Sequence, residues 1–324
     1  MNKRHIVAAL LSFASFAAAA QAAWPTQPIK LIVPYPPGGG TDFFARSVAP
    51  AMGEALGQPV IVENRPGASG LIAGHAVAKQ LPADGYSVLL GDMTTYAVNP
   101  TLLEKQQQYD IQRDLAAVTM TARFDFLLVV NPNVLAVSKV DEIVAAAAKA
   151  PGGLNYASPS IGTTHHLATE MFAKETGARL VPITYKGGGP AVQDLLGGQV
   201  GLMMLDRATA RPYIESGKLR AIAAAGATRI AAFPNVPTMA ESGVKGFAVE
   251  GWQGFTVRTG TPEPAVRAIA AAYAKAIASP ELKKKLNDAG IDPVTSTPAQ
   301  FARFIEGETA RWRSIIRERG IKAE

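Results

Sequence analysis

The chain has 324 residues, no cysteine and a formal net charge of +6 at pH 7, and 48% of its residues are hydrophobic. The lack of cysteine excludes disulfides, thiol catalysis and cysteine-ligated metals. Nucleic acid is not indicated as a partner: Lys283-Lys284-Lys285 and Arg311, Arg313, Arg317 and Arg319 fall in helical pattern interleaved with apolar residues, with no aromatic stacking platform.

The first element in chain order is a leader. Lys3 and Arg4 precede an apolar or small run from Ile6 to Ala20, and Ala20-Gln21-Ala22 places small residues where a signal peptidase reads them. The run covers 15 residues, whereas a membrane-spanning helix needs roughly 20. Residues 1–22 are therefore expected to be a signal peptide removed on export, giving a periplasmic protein. Removing 22 residues leaves 302, and losing Lys3 and Arg4 lowers the formal charge from +6 to +4. A chain of that length exceeds what one core usually organises, so two lobes are expected. Its mild basic excess favours anionic ligands.

Beyond the leader, β-rich runs alternate with helical periodicity. Ile29 to Tyr35 predicts a strand, Pro36 to Gly40 a loop, and Thr41-Asp42 the start of a helix through about Leu56. A strand at Val60 to Glu63, a loop at Asn64 to Gly70, a helix to about Gln80 and a strand at Tyr86 to Leu90 follow. A second series comprises strands at Phe126 to Val130, Leu154 to Ala157, Leu180 to Tyr185, Val200 to Leu205 and Leu219 to Ala225. Helices are predicted at Val140 to Ala150, His165 to Thr176 and Ala191 to Leu196. Phe247 to Val257 reads as a strand returning to the first lobe, and helices at Glu263 to Ala278, Pro280 to Ala289 and Pro298 to Glu318 close the chain. Such βα alternation implies mainly parallel sheets flanked by helices. The expected crossings between lobes are Thr121 to Phe126 and Phe247 to Gly254, which gives a first lobe of 23–124 and 249–324 and a second of 125–248.

Three strand-to-helix loops share one plan. Tyr35-Pro36-Pro37-Gly38-Gly39-Gly40-Thr41-Asp42 and Tyr185-Lys186-Gly187-Gly188-Gly189-Pro190 each place an aromatic residue, then glycines, before a helix start. Ser158-Pro159-Ser160-Ile161-Gly162-Thr163-Thr164 adds hydroxyls. Glycine lets backbone approach a ligand closely, and the N–H groups of a helix N-terminus attract anions. Three such loops at the carboxyl ends of strands, where open α/β sheets bind ligands, indicate an anion site. No catalytic motif accompanies them. G-x-S-x-G, P-loop, G-x-G-x-x-G and H-E-x-x-H patterns are missing, and adjacent His165 and His166 splay apart on a helix instead of forming an i, i+4 metal pair.

VPYPPGGGTD (Val33 to Asp42), VENRPGASG (Val62 to Gly70), PADGY (Pro82 to Tyr86), YKGGGPAVQDLLGGQV (Tyr185 to Val200), FPNVPTMAESG (Phe233 to Gly243) and the Trp252 strand leading to Gly260-Thr261-Pro262 resemble, in order and along essentially the whole mature chain, the Bug-type (TctC-like) substrate-binding proteins of tripartite tricarboxylate transporters. The resemblance implies a type II periplasmic binding protein fold with a ligand cleft between two lobes, and capture of a small carboxylate: a di- or tricarboxylate, an acidic amino acid or an aromatic acid. It implies no cofactor, no metal and no enzymatic activity. The implied partners are membrane permease subunits of the transporter, or alternatively a sensor kinase, and the protein is expected to be a monomer.

Carried onto this chain, the implied ligand-binding residues are Pro37, Gly38, Gly39, Gly40, Thr41 and Asp42; Thr94 and Thr95; Ser158, Ser160, Gly162, Thr163 and Thr164; and Lys186, Gly187 and Gly188. One departure concerns the strand where the family often carries an aspartate before an apolar triplet and then Asp-Asn. This chain has Gly201, Leu202-Met203-Met204 and then Leu205-Asp206, which moves the candidate carboxylate to Asp206. His165 replaces a small hydroxyl residue of the family's second loop, and both His165 and His166 are read as capping or packing groups. An unrecognised α/β-cleft enzyme is the alternative from another class.

Overall fold

A computed structural model describes residues 24–185 and 187–322. The expected leader and Lys186 lie outside the described residues. Two sheets organise the chain. The first contains β1 (Ile29–Val33), β2 (Val60–Asn64), β3 (Ser87–Asp92), β4 (Leu115–Phe124), β10 (Gly251–Arg258) and β11 (Ile291–Pro293), in the order β11-β4-β10-β3-β1-β2. The second contains β5 (Phe126–Val130), β6 (Leu154–Ser158), β7 (Leu180–Thr184), β8 (Leu202–Asp206) and β9 (Arg220–Ala224), in the order β7-β6-β8-β5-β9.

Both sheets are parallel at one side and mixed at the other. β1 pairs in parallel with β2 and β3, while β10 runs antiparallel between β3 and β4. In the second sheet β6 is parallel to β7 and β8, and β5 is antiparallel to β8 and β9. Chain crossing explains the reversals: β5 enters the second sheet directly from β4 through Asp125 alone, and β10 returns to the first.

Helices cover the sheets because the central strands are apolar on both faces. On one face of the first sheet, α1 (Gly40–Leu56), α9 (Glu263–Ile277) and α10 (Pro280–Asp288) pack Phe44, Val48, Ile269, Tyr273 and Leu286 against Leu31, Val33, Leu90 and Phe255. On the other lie α2 (Leu71–His75), which continues as a π-type turn to Gln80, α3 (Asn99–Leu102), preceded by a similar turn at Thr94–Val98, and the long α11 (Pro298–Arg319). A reciprocal cap starts α11: Gln300 N–H donates to Thr297 Oγ1 at 3.2 Å, and Thr297 N–H donates to Gln300 Oε1 at 2.9 Å. The short α4 (Ile111–Asp114) leads into β4.

Around the second sheet, α7 (Gly188–Gly197) and α8 (Arg207–Glu215) bury Val192, Leu195 and Ala210 on one face. On the opposite face, α5 (Val140–Lys149) and α6 (Thr164–Thr176) bury Ile143, Leu167 and Phe172. This last group is continuous with Trp252 of the first sheet and with Phe301 and Trp312 of α11, so one apolar cluster serves both sheets.

The structure corrects three expectations. Thr121 to Phe124 belongs to β4 and is not connecting chain, so the first crossing is shorter than predicted. The helix expected up to Gln80 is present but changes from an α turn to a π-type turn at Ala76, and the loop expected from Asn64 to Gly70 contains a 3-10 turn in which Ala68 and Ser69 adopt positive φ values of 46° and 52°. α3, α4, α8, β4 and β11 have no counterpart among the predicted elements.

Candidate functional site

The carboxyl edge of the first sheet carries a row of polar residues on successive strands. Asn64 ends β2, Tyr35 follows β1 and Asp92 ends β3. Asn64 Nδ2 donates to the Tyr35 carbonyl at 3.0 Å and to Asp42 Oδ1 at 2.9 Å. The Tyr35 hydroxyl donates to Asp92 Oδ2 at 2.7 Å. Asp92 Oδ1 accepts from both the N–H and the hydroxyl of Thr95, each at 2.9 Å. This network fixes the glycine-rich loop over the sheet edge.

Asp42 braces that loop from within. It is 3% exposed and accepts from Gly38 N–H at 2.9 Å and from Arg46 Nε at 3.0 Å, in addition to Asn64. Burial pushes its carboxyl upward, but the Arg46, Gly38 and Asn64 hydrogen bonds outweigh burial and hold it below the ordinary range. The Asp42 side chain is therefore a structural acceptor within the first turn of α1. The N-cap of α1 is Gly39, with φ −83° and ψ 171° and no capping side chain. Nothing lies within 4 Å of a Cβ placed on Gly38, Gly39 or Gly40. The helix N-terminus thus presents N–H groups to open space.

The second sheet supplies two loops that touch each other. Gly187 N–H donates to the Pro159 carbonyl at 2.9 Å, and Tyr185 N–H to the Ser158 carbonyl at 2.8 Å. Gly187, at φ 115°, is the uncapped N-cap of α7, and space is open around Gly188 and Gly189. The Ser158–Thr164 loop differs in satisfying itself. The Ser158 and Thr163 hydroxyls both donate to the Ser160 carbonyl at 2.9 Å, and Thr163 also caps α6 by accepting from His166 N–H. Gly162, at φ 76°, sits so close to the other lobe that an added Cβ would lie 2.5 Å from Leu102 Cδ2. Thr94 and Thr95 begin the helical segment that ends at Leu102, so the structure brings the Ser158–Thr164 loop against the Thr94–Leu102 segment.

His166 is 5% exposed, and its Nδ1 accepts from Gly162 N–H at 3.3 Å, which stitches the loop to α6. Burial holds its imidazole below the ordinary value of 6.5, with the Glu170 charge opposing. As pH falls through 6.5 the unfolded chain binds a proton that the folded chain refuses, so stability is full above that value and declines towards the lower folded one. His166→Asn keeps an acceptor for Gly162 and should flatten that decline. Denaturant midpoints between about pH 7.5 and about pH 5 test this, and equal slopes in parent and variant would exclude His166 as the cause.

Asp206 caps α8 by accepting from Thr209 N–H at 2.9 Å and stands 3.8 Å from His165 Nε2. Burial raises its carboxyl, but His165 and the Thr209 N–H outweigh that and hold it low. The His165 ring packs edge-on against Phe126 at 5.0 Å. Sequence reasoning missed Tyr35, Asn64 and Asp92. The available signal was an acidic residue at a strand end followed by hydroxyls, Asp92-Met93-Thr94-Thr95. A groove of about 760 Å³ between α1 and β2 lies on the sheet's outer edge, away from the glycine loops.

Two α/β units with glycine-capped helices at the carboxyl ends of their strands define the periplasmic-binding-protein class. The sequence profile described as "Tripartite tricarboxylate transporter family receptor" matches residues 44–321. This chain belongs to that family, which consists of solute-binding receptors and not of enzymes. Protein BugT of Bordetella pertussis is 38% identical over 299 residues, covering 92% of this chain and 91% of that protein. The R. palustris protein Rpa4515, solved with adipate, superposes with a TM-score of 0.83 at 34% identity, over 92% of this chain and 99% of that one. MatC (Rpa3494) from Rhodopseudomonas palustris, solved with bound malate, gives 0.80 at 28% identity, over 90% and 100%. Among the described residues, no helix is long and apolar enough to cross a membrane.

Proposed function

We propose that this protein captures a small carboxylate in the periplasm, between lobes formed by 23–124 with 249–324 and by 125–248, and delivers it as a monomer to membrane permease subunits. The ligand carboxylate is held by backbone N–H groups at the starts of α1 and α7, with the Ser158–Thr164 loop alongside. The observation that carries this reading is the pair of glycine N-caps, Gly39 and Gly187, that leave helix N-termini without a side-chain partner. Relatives solved with adipate and with malate support the ligand class.

Thermal-shift screening of carboxylic acids tests it. A ligand at a hundred times its dissociation constant adds about 2.7 kcal/mol to stability, and if no carboxylate shifts the melting temperature the reading fails. Small-angle scattering with a confirmed ligand should show a smaller radius of gyration than without it, because ligand touching both lobes favours the closed form. An unchanged radius rules out closure on binding. Protein recovered from the periplasm of a Gram-negative host should begin at or near Ala23, and recovery of the uncut chain there would refute the leader assignment.

A further inference from the structure

The polar row on the first sheet has a fourth member, on β10. Gln253 pairs in register with Asp92 of β3 on one side and with Ala122 of β4 on the other. Directly opposed residues of antiparallel strands project to the same face. Ala122 offers only a methyl group there, so Asp92 is the polar neighbour of Gln253 in that rank. Gln253 is 0% exposed, yet neither its amide oxygen nor its amide nitrogen has a hydrogen-bond partner among the described residues. Buried polar groups are normally paired, and an unpaired one that persists in a fold marks a place where stability gives way to another requirement.

Asp92 complements it. A carboxylate has about four acceptor positions, and Asp92 uses three of them, on the Tyr35 hydroxyl and on the Thr95 N–H and hydroxyl. All these partners are neutral, so none offsets its charge, and burial raises its carboxyl above the ordinary value. Asp92 is part-buried and is therefore the member a ligand meets first.

We infer that Asp92 and Gln253 form a second subsite, apart from the glycine loops, that selects a ligand bearing a hydroxyl group besides its carboxylate and rejects a second carboxylate. A hydroxyl donates to the remaining acceptor position of Asp92 and accepts from the Gln253 NH2 group, which gives the carboxylate and the amide nitrogen a shared partner. A second carboxylate has no proton to donate and meets Asp92 as a like charge. A plain alkyl or aryl end leaves both groups as they are. This inference rests on the carboxylate reading above.

The test is calorimetric titration of the mature protein with two matched sets: butyrate, 4-hydroxybutyrate and succinate, and benzoate, 4-hydroxybenzoate and terephthalate. At least one hydroxy acid should bind about tenfold or more tighter than its plain and dicarboxylate counterparts. Asp92→Asn keeps the shape and an acceptor for Tyr35 while removing the charge, and should raise the affinity for the dicarboxylate relative to the hydroxy acid by about tenfold. Gln253→Met, of similar length, should erase the preference for hydroxyl over plain acid and raise the melting temperature of the ligand-free protein. A change in affinity ratios separates recognition from a structural role, which would weaken all probes alike. Parent protein that binds a dicarboxylate best, or ratios unchanged in both variants, overturns the subsite alone. If no probe binds the parent protein, the subsite and the carboxylate reading both fall.

Discussion

Gly39→Val should fold like the parent protein and lose about tenfold or more in ligand affinity. The backbone at Gly39 is extended, at φ −83° and ψ 171°, a conformation valine adopts without strain. An added Cβ there meets nothing within 4 Å, so no neighbour has to move. The change in stability should stay within about 1 kcal/mol, the scale of an N-cap substitution. The loss of affinity comes instead from filling the space through which the first N–H groups of α1 are reached. Replacing the ligand carboxylate by its primary amide should do comparable damage, since a hydrogen bond to a charged acceptor is worth about 1.5–3 kcal/mol against about 1 for a neutral one. Titration of Gly39→Val and Lys186→Met against one confirmed ligand decides between two pictures. Normal binding by Gly39→Val with none by Lys186→Met replaces the amide cradle with a lysine-centred site.

The largest loss of stability is expected from Trp252→Ala, about 3–5 kcal/mol. Trp252 is buried on β10, stacks on Tyr96 with centroids 6.0 Å apart, and meets Phe301 and Phe304 edge-on at 5.9 and 5.0 Å. Its indole N–H donates to Glu308 Oε2 at 3.2 Å, an oxygen that also accepts from Trp312 at 3.1 Å. Truncation therefore opens a cavity and removes one of three donors, the others being Trp312 and Arg311, from a part-buried carboxylate. Trp252→Phe retains most of the packing and should cost clearly less. Chemical denaturation of the two variants provides the comparison, and a loss below about 1 kcal/mol for the alanine variant would show that the site collapses without penalty.

The elements that read clearly in the sequence are those whose pattern is local. β5 is an unbroken apolar run and β1 is apolar except for Lys30, and α1 begins where Gly39 ends the loop and stops at Gly57 in the left-handed region, so their bounds follow from neighbouring residues. β4 did not read as a strand because Leu-Ala-Ala-Val-Thr-Met-Thr-Ala-Arg-Phe holds alanines and an arginine that favour no extended form. It is a strand because β10 and β11 pair with it on either side. The same distinction applies at the site. The glycine loops were visible as motifs, but the inward turn of the Asp42 carboxylate depends on Asn64, 22 residues away. The pairing of Gln253 with Asp92 depends on an antiparallel register that joins distant parts of the chain.

The apolar cluster shared by the two sheets bears on how the protein comes apart. It runs without a break from Trp252, Phe301 and Trp312 to Leu167 and Phe172. Neither half can unfold alone without stripping the other of buried surface, which couples their melting into one cooperative event. Differential scanning calorimetry should record a single peak whose calorimetric and van't Hoff enthalpies agree, in place of the two transitions expected of independent halves.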